Sequence, residues 1–210
     1  MTYSLWHIVS LGILAIAAVL VLYIRRDAFA EFRPATDKCT YQWDSGYVCP
    51  SSKETDTYKI LPYSKHDDAT KKDAIDHLSA FWTEWTYDHN FIEANWGKDD
   101  MFYIMVSKDA VSKDGRFLGT VAIDRKNFYP FISQMYVVPS ERRKGLATEL
   151  LRFGEDVTMS MGFDTAKLWC EKHLVPWYEK RGYQAEDTVH QNGKTLFIMQ
   201  KGPFQRAMAA

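Results

Sequence analysis

The stretch VVPSERRKGLATELL, residues Val137 to Leu151, decides how the rest of the chain reads. A β-branched run meets Pro139, three basic residues and a glycine follow, and an apolar pattern at helical spacing then begins. A strand that stops at proline and hands over to a helix leaves the first N–H groups of that helix without partners, and the macrodipole favours negative charge at the same place. Such a terminus binds phosphate. Gly145 lets an anion approach the main chain closely, and Arg142, Arg143 and Lys144 add positive charge beside it. A bare cluster of three basic residues would suit a solvated helix start equally well, so the elements on either side settle its meaning.

Those elements are regular from Thr57 onward. TYKIL (57–61) predicts a short strand. DDATKKDAIDHLSAFWTEWTY (67–87) sets Ala74, Leu78, Phe81, Trp82 and Trp85 at helical spacing behind an acidic start, which predicts an amphipathic helix. A second helical piece is expected near Phe91 to Trp96. MFYIMVS (101–107) and RFLGTVAID (116–124) bracket KDAVSKDG as a hairpin, and PFISQMYVV (130–138) supplies the strand that meets Pro139. Arg142 to Met161 predicts a long helix, TAKLWCE (165–171) a strand, VPWYEKRG (175–182) a short helix ended by Gly182, and TLFIMQK (195–201) a last strand after the turn residues Gln191, Asn192 and Gly193. This order indicates an α/β (α+β) fold, a mixed and mostly antiparallel central sheet flanked by helices.

The 210 residues, 46% of them hydrophobic, suit one globular domain with an appendage, and a net charge of -1 argues against a dedicated nucleic-acid binder. The appendage is LWHIVSLGILAIAAVLVLYI, Leu5 to Ile24, which carries no formal charge apart from protonation of His7. At ~1.5 Å rise per residue such a helix crosses a hydrocarbon layer of ~30 Å. Trp6 and Tyr23 stand near its ends, and Arg25 and Arg26 follow at once, which places the remainder on the cytosolic side of a single-pass protein. A cleaved signal peptide ending at AFAE (28–31) is the competing reading. Against it, the n-region lacks basic residues and the apolar run is long. The expected organisation is an anchor with basic flank over residues 1–26, a polar stalk over 27–56, the folded domain over 57–201 and a tail over 202–210. Cys39 and Cys49 flank a loop that one disulfide could close, although cytosolic placement would keep them reduced. Their spacing lacks the second Cys/His pair of a structural zinc site, so no metal is expected, and Cys170 reads as a small buried apolar residue.

The element order and the pattern R-x-x-G-x-A, carried by Arg142, Gly145 and Ala147 after the fourth strand, resemble the GNAT N-acetyltransferase superfamily over about Thr57 to Lys201. Neither G-x-x-x-x-G-K-[ST] nor G-x-G-x-x-G occurs. Two shorter segments, CEKHLVPWYEKRGY (170–183) and GKTLFIM (193–199), are similar to the serotonin (arylalkylamine) N-acetyltransferases within it. The resemblance implies acetyl-CoA as co-substrate. It implies that main-chain groups of Met135 and Val137 meet the acetyl carbonyl and the pantetheine arm. The loop Arg142, Arg143, Lys144, Gly145, Leu146 and Ala147 would hold the pyrophosphate.

By the same resemblance Tyr178 protonates the departing thiolate, a task suited to a phenol that stays protonated at neutral pH. The two histidines that the serotonin subgroup carries on its fourth strand are replaced by Phe131 and Ser133. The base is therefore sought among Glu171, His173, Glu84 and His89, with Glu171 favoured because it lies in the matching segment. Phe81, Trp85, Ser133 and Phe197 are the expected substrate-binding residues, though most of the aromatics also recur at core spacing. The function expected is transfer of acetyl to the amine of a small molecule, an arylalkylamine or polyamine, by direct attack in a ternary complex. A protein lysine or N-terminal amine is the alternative acceptor, and a catalytically inactive CoA-binding module is the alternative from another class.

Overall fold

The computed structural model describes residues 40–42, 46–48, 52–108, 115–125, 129–191 and 193–204. The expected span Leu5 to Ile24, the AFAE site and both Cys39 and Cys49 lie outside them. Among the described residues no helix is long and apolar enough to cross a membrane.

Strands β1 (Thr40–Gln42) and β2 (Gly46–Val48) pair as a separate antiparallel ribbon. The main sheet holds eight strands: β3 (Lys53–Glu54), β4 (Tyr58–Pro62), β5 (Phe102–Ser107), β6 (Phe117–Asp124), β7 (Phe131–Val137), β8 (Ala166–Glu171), β9 (Gln184–Gln191) and β10 (Lys194–Lys201). Their order is β3-β4-β5-β6-β7-β8-β10-β9. Every pair is antiparallel except β7 with β8. Helices α1 (Asp68–Phe81) and α2 (His89–Trp96) precede β5, α3 (Leu146–Ser160) joins β7 to β8, and α4 (Val175–Glu179) joins β8 to β9. All six residues of β5 are buried, as expected of a strand covered on both faces. Gly154 of α3 has Ile132 so close that a Cβ would meet its side chain at 3.1 Å, which seats this helix tightly on β7.

Helix α1 is shorter than its apolar spacing predicts. Asp67 caps it, accepting from Thr70 N–H at 2.8 Å, and Ala74 and Leu78 are buried, but the chain leaves the helix at Trp82. The reason lies just beyond: Asp88 caps α2 by accepting from Phe91 N–H at 2.7 Å, and an unbroken helix could not present that side chain. Phe81 and Trp85 are consequently 51% and 40% exposed rather than core residues. Helix α3 begins at Leu146, not at Arg142, because Arg143 (φ 66) and Gly145 (φ 88) are both left-handed and cannot join a right-handed helix. Strand β9 has no counterpart in the predicted order. Its sequence, QAEDTVHQ, is mostly exposed and shows no apolar alternation; pairing along β10 alone makes it a strand. Lys53 and Glu54, within the expected stalk, form the edge strand β3.

Candidate active site

Strands β7 and β8 pair only through Phe131 with Lys167 and Ile132 with Leu168, and beyond those residues they part. Backbone groups of β7 that would normally bond a neighbour therefore face an open gap. Their directions follow from the other edge. Val138 N–H donates to Leu118 O at 3.0 Å, so the carbonyl of Val137, across the same planar peptide, points into the gap. A Cβ on Gly119 of β6 would meet Tyr136 O at 2.3 Å, which directs Tyr136 C=O toward β6 and Val137 N–H into the gap. Thr120 Oγ1 donates to Gln134 O at 2.7 Å, so Met135 N–H also faces the gap. Two donors and an acceptor thus line one edge of a slot through the sheet.

The slot leads to the loop before α3. Among the described residues, the N–H groups of residues 143–147 meet no protein acceptor. A Cβ on Gly145 would touch nothing within 4 Å, so its left-handed backbone stands open to a ligand. The cations beside it divide their roles. Lys144 Nζ lies 2.9 Å from Glu141 Oε2, whose other oxygen accepts from Arg116 Nη1 at 2.7 Å. Arg142 bends back: its Nε donates to Val137 O at 3.0 Å, and its guanidinium lies over the rings of Phe81 (5.7 Å) and Tyr136 (5.9 Å). Of the three, Lys144 alone has an ion pair among the described residues, and Arg143 has neither an ion pair nor a ring contact there. The sequence treats these cations as equivalent, and the structure does not.

The buried Glu141 is the brace of this loop. Hydrogen bonds from Lys144 and then Arg116 hold its carboxyl below the usual range. A depressed folded-state value means stability that is full above the ordinary 4.5 and is lost as pH falls through the lowered value. Glu141→Gln is expected to melt at a lower temperature than the wild type near neutral pH. The two curves should converge in acid well below 4.5; a gap independent of pH, read by thermal denaturation, would contradict this coupling.

Alternation along the strands sorts the remaining residues by face. Cys170 and its partner Phe197 share the α3 face, where α4 carries Tyr178. Tyr178 is buried against Trp177 (ring centroids 4.8 Å) and Tyr183 (5.7 Å), and burial pushes its hydroxyl well above the ordinary value. Among the described residues nothing hydrogen-bonds that hydroxyl, and its oxygen is not sealed from solvent. Burial also raises the Cys170 thiol to about 11, which disfavours the thiolate that a nucleophile needs. The opposite face carries Trp169 and Glu171 of β8, and α1 with Phe81. Ser133, on β7, is turned to its own sheet, 3.5 Å from Ala122 O. Phe81 and Trp85 therefore do not share a cavity with Phe197, because the sheet lies between them.

Three of the four base candidates do come together. Lys194 Nζ lies 3.3 Å from both Glu84 Oε1 and Glu171 Oε1, and His173 Nδ1 is 3.4 Å from Glu171 Oε2. Glu84 is held below its ordinary value, chiefly by its own backbone N–H and then by Lys194, which weakens it as a base. Glu171 is 47% exposed and lines an open cleft with Lys172, His173, Lys194 and Thr195. His89 is elsewhere, its Nδ1 3.0 Å from Tyr63 Oη. Among the described residues no group of three His, Cys, Asp or Glu side chains could hold a metal ion.

Residues 69–183, more than half of the chain, match the model of the acetyltransferase (GNAT) family. The chain belongs to the GNAT family. Solved structures with the same fold include an aminoglycoside 6'-N-acetyltransferase complexed with coenzyme A (18% identity, TM-score 0.53, 70% of this chain and 98% of that one). A GnaT-family acetyltransferase from Bordetella pertussis has 15% identity and a TM-score of 0.53, over 72% and 99% of the two chains. Arabidopsis thaliana Naa50 in complex with the bisubstrate analogue CoA-Ac-MVNAL has 13% identity and a TM-score of 0.52, over 69% and 98%. Likeness at this distance shows the fold. No curated protein matches the chain in sequence.

Two residues of this candidate site are not singled out by sequence. Arg181 sets a guanidinium at the first turn of α3, donating to Thr148 Oγ1 at 2.9 Å while stacking 3.6 Å from the Trp177 ring centroid. It lies inside the quoted YEKRGY segment, so position was legible and partner was not. Gln134 adopts φ 50 in β7, and nothing in a lone glutamine signals that.

Proposed function

We propose that the protein is a membrane-anchored N-acetyltransferase that moves the acetyl group of acetyl-CoA to the amine of a small molecule, an arylalkylamine or polyamine. The observation that carries this reading is the slot edged by Met135 N–H, Val137 N–H and Val137 C=O, which runs on into the unpaired amides of residues 143–147. Amides of this kind suit a diphosphate at one end and an extended pantetheine arm along the other. Arg142 would exchange Val137 O for the ligand as the arm enters.

The two faces of the sheet then receive different tasks. The neutral amine arrives from the Glu171 face, attacks the thioester carbon, and the carbonyl oxygen gains negative charge against Met135 N–H. Collapse breaks the carbon–sulfur bond, and the thiolate takes the Tyr178 proton on the α3 face. The proton lost by nitrogen passes to Glu171 or to water held there. Direct attack is favoured over an acetyl-enzyme, since burial of Cys170 disfavours the thiolate that an acetyl-enzyme would need. Anchoring rests on the uncharged run Leu5 to Ile24 and cytosolic placement on Arg25 and Arg26.

A protein amine is the second reading, and a specific observation favours it: Phe81 and Trp85 are exposed and the Glu171 cleft is open rather than a closed aromatic cavity. Full-length protein in detergent, given acetyl-CoA with tryptamine, spermidine and peptides bearing free lysine or N-terminal amines, distinguishes the cases by thiol release. Turnover with tryptamine or spermidine is expected. Turnover on peptides alone establishes the second reading, and tight CoA binding without turnover on any amine defeats both.

A further inference from the structure

Strand β7 carries one residue more than β6 opposite it. Thr120 pairs with Tyr136 and Ala122 with Ser133, so Gln134 and Met135 together face Val121. The extra residue is absorbed by Gln134 at φ 50, a left-handed conformation that a residue with a Cβ avoids unless its surroundings impose it. Two buried side chains do so. Thr120 Oγ1 donates to the Gln134 carbonyl at 2.7 Å, and Tyr87 Oη donates to Gln134 Oε1 in a short hydrogen bond. Tyr87 is itself fixed. Its ring packs on Trp82 (5.9 Å) and Phe91 (5.2 Å), and its carbonyl accepts from Ser79 Oγ at 3.1 Å.

This arrangement has a direct effect on chemistry, because Gln134 C=O and Met135 N–H belong to one planar unit. Whatever fixes the rotation of that peptide aims Met135 N–H into the slot. We propose that Tyr87, acting through Gln134, is a positioning residue that aims the Met135 amide at the thioester oxygen of acetyl-CoA, an inference that rests on the transferase reading above. Tyr87 belongs to the connection between α1 and α2, which also carries Glu84 and Trp85 on the side where the amine arrives. One hydrogen bond therefore joins the acceptor-side loop to the donor for the oxyanion.

The phenol of Tyr87 contributes one hydrogen bond beyond its packing, so Tyr87→Phe keeps the ring contacts and removes only the tether. Gln134→Asn tolerates the left-handed backbone but is one methylene too short to reach Tyr87. Acetyl-CoA labelled with carbon-13 at the acetyl carbonyl supplies a readout that needs no acceptor: the infrared stretch of the bound thioester, which moves to lower frequency as its hydrogen bond strengthens. Wild type is expected to show that lowering on binding, and both variants to lose part of it while binding acetyl-CoA with unchanged affinity by calorimetry. With an amine that turns over, kcat should fall by about tenfold to a hundredfold in each variant, the loss typical of a small misplacement at a reacting centre. The double variant should be no worse than either single one. Variants with the wild-type stretch and wild-type kcat would overturn the inference, as would additive losses. A wild type that does not bind acetyl-CoA refutes instead the transferase reading itself.

Discussion

Gly145→Val is expected to weaken acetyl-CoA binding by about a hundredfold, with the fold intact. Two effects add. At φ 88 a residue with a Cβ pays roughly 1–2 kcal/mol for the left-handed backbone, and a β-branched side chain would relieve that strain by rotating the loop. In its present conformation the loop leaves the amides of residues 143–147 open, so rotation would remove several donors at once from the proposed pyrophosphate site. A branched side chain would also stand where the anion must come, since the space above Gly145 is empty of protein. That emptiness predicts that the folded state accepts the substitution without a clash. Calorimetric titration with acetyl-CoA measures the effect, and Gly145→Ala should fall between the two because it brings the strain with little of the obstruction. Wild-type affinity in the valine variant would mean that the pyrophosphate does not use this loop.

What the sequence made legible divides along physical lines. The open loop before α3 could be read because its determinants are local: a strand stopped by Pro139, a glycine that takes a left-handed turn, and a helix pattern directly after. The short helix that carries Tyr178 was equally readable, since Pro176 at its start and Gly182 just past its end bound it. Long-range pairings were not. The partner of Lys144 is Glu141, but what braces Glu141 is Arg116, two elements away, and no spacing rule announces it. Strand β9 escaped because an edge strand exposed on both faces has no reason to alternate. The end of α1 escaped because apolar spacing persists through Trp85 after the backbone has already turned away. The bulge at Gln134 is the extreme case: its conformation is imposed by Tyr87 and Thr120, far along the chain, and its own residue type gives no sign.

Tyr178→Phe should lower kcat by about a hundredfold or more near neutral pH, the usual contribution of a positioned acid, while leaving acetyl-CoA affinity unchanged. The packing argument comes first. The ring contacts with Trp177 and Tyr183 survive the substitution, and no protein group loses a hydrogen bond, because none among the described residues reaches the hydroxyl. Loss of rate therefore reports on chemistry rather than on folding. The pH dependence sharpens the test. Burial raises the hydroxyl above the ordinary tyrosine value of 10.0, so in the wild type it remains a proton donor throughout the neutral and mildly alkaline range. The departing thiol has an ordinary value of about 8.5, and above it the sulfur can leave as a stable thiolate without being protonated. The deficit of the phenylalanine variant should accordingly shrink as pH rises through that region. Profiles of kcat against pH for both proteins provide the measurement. A deficit that stays constant with pH would assign Tyr178 to holding the slot's shape, and no deficit at all would leave the thiolate to take its proton from water.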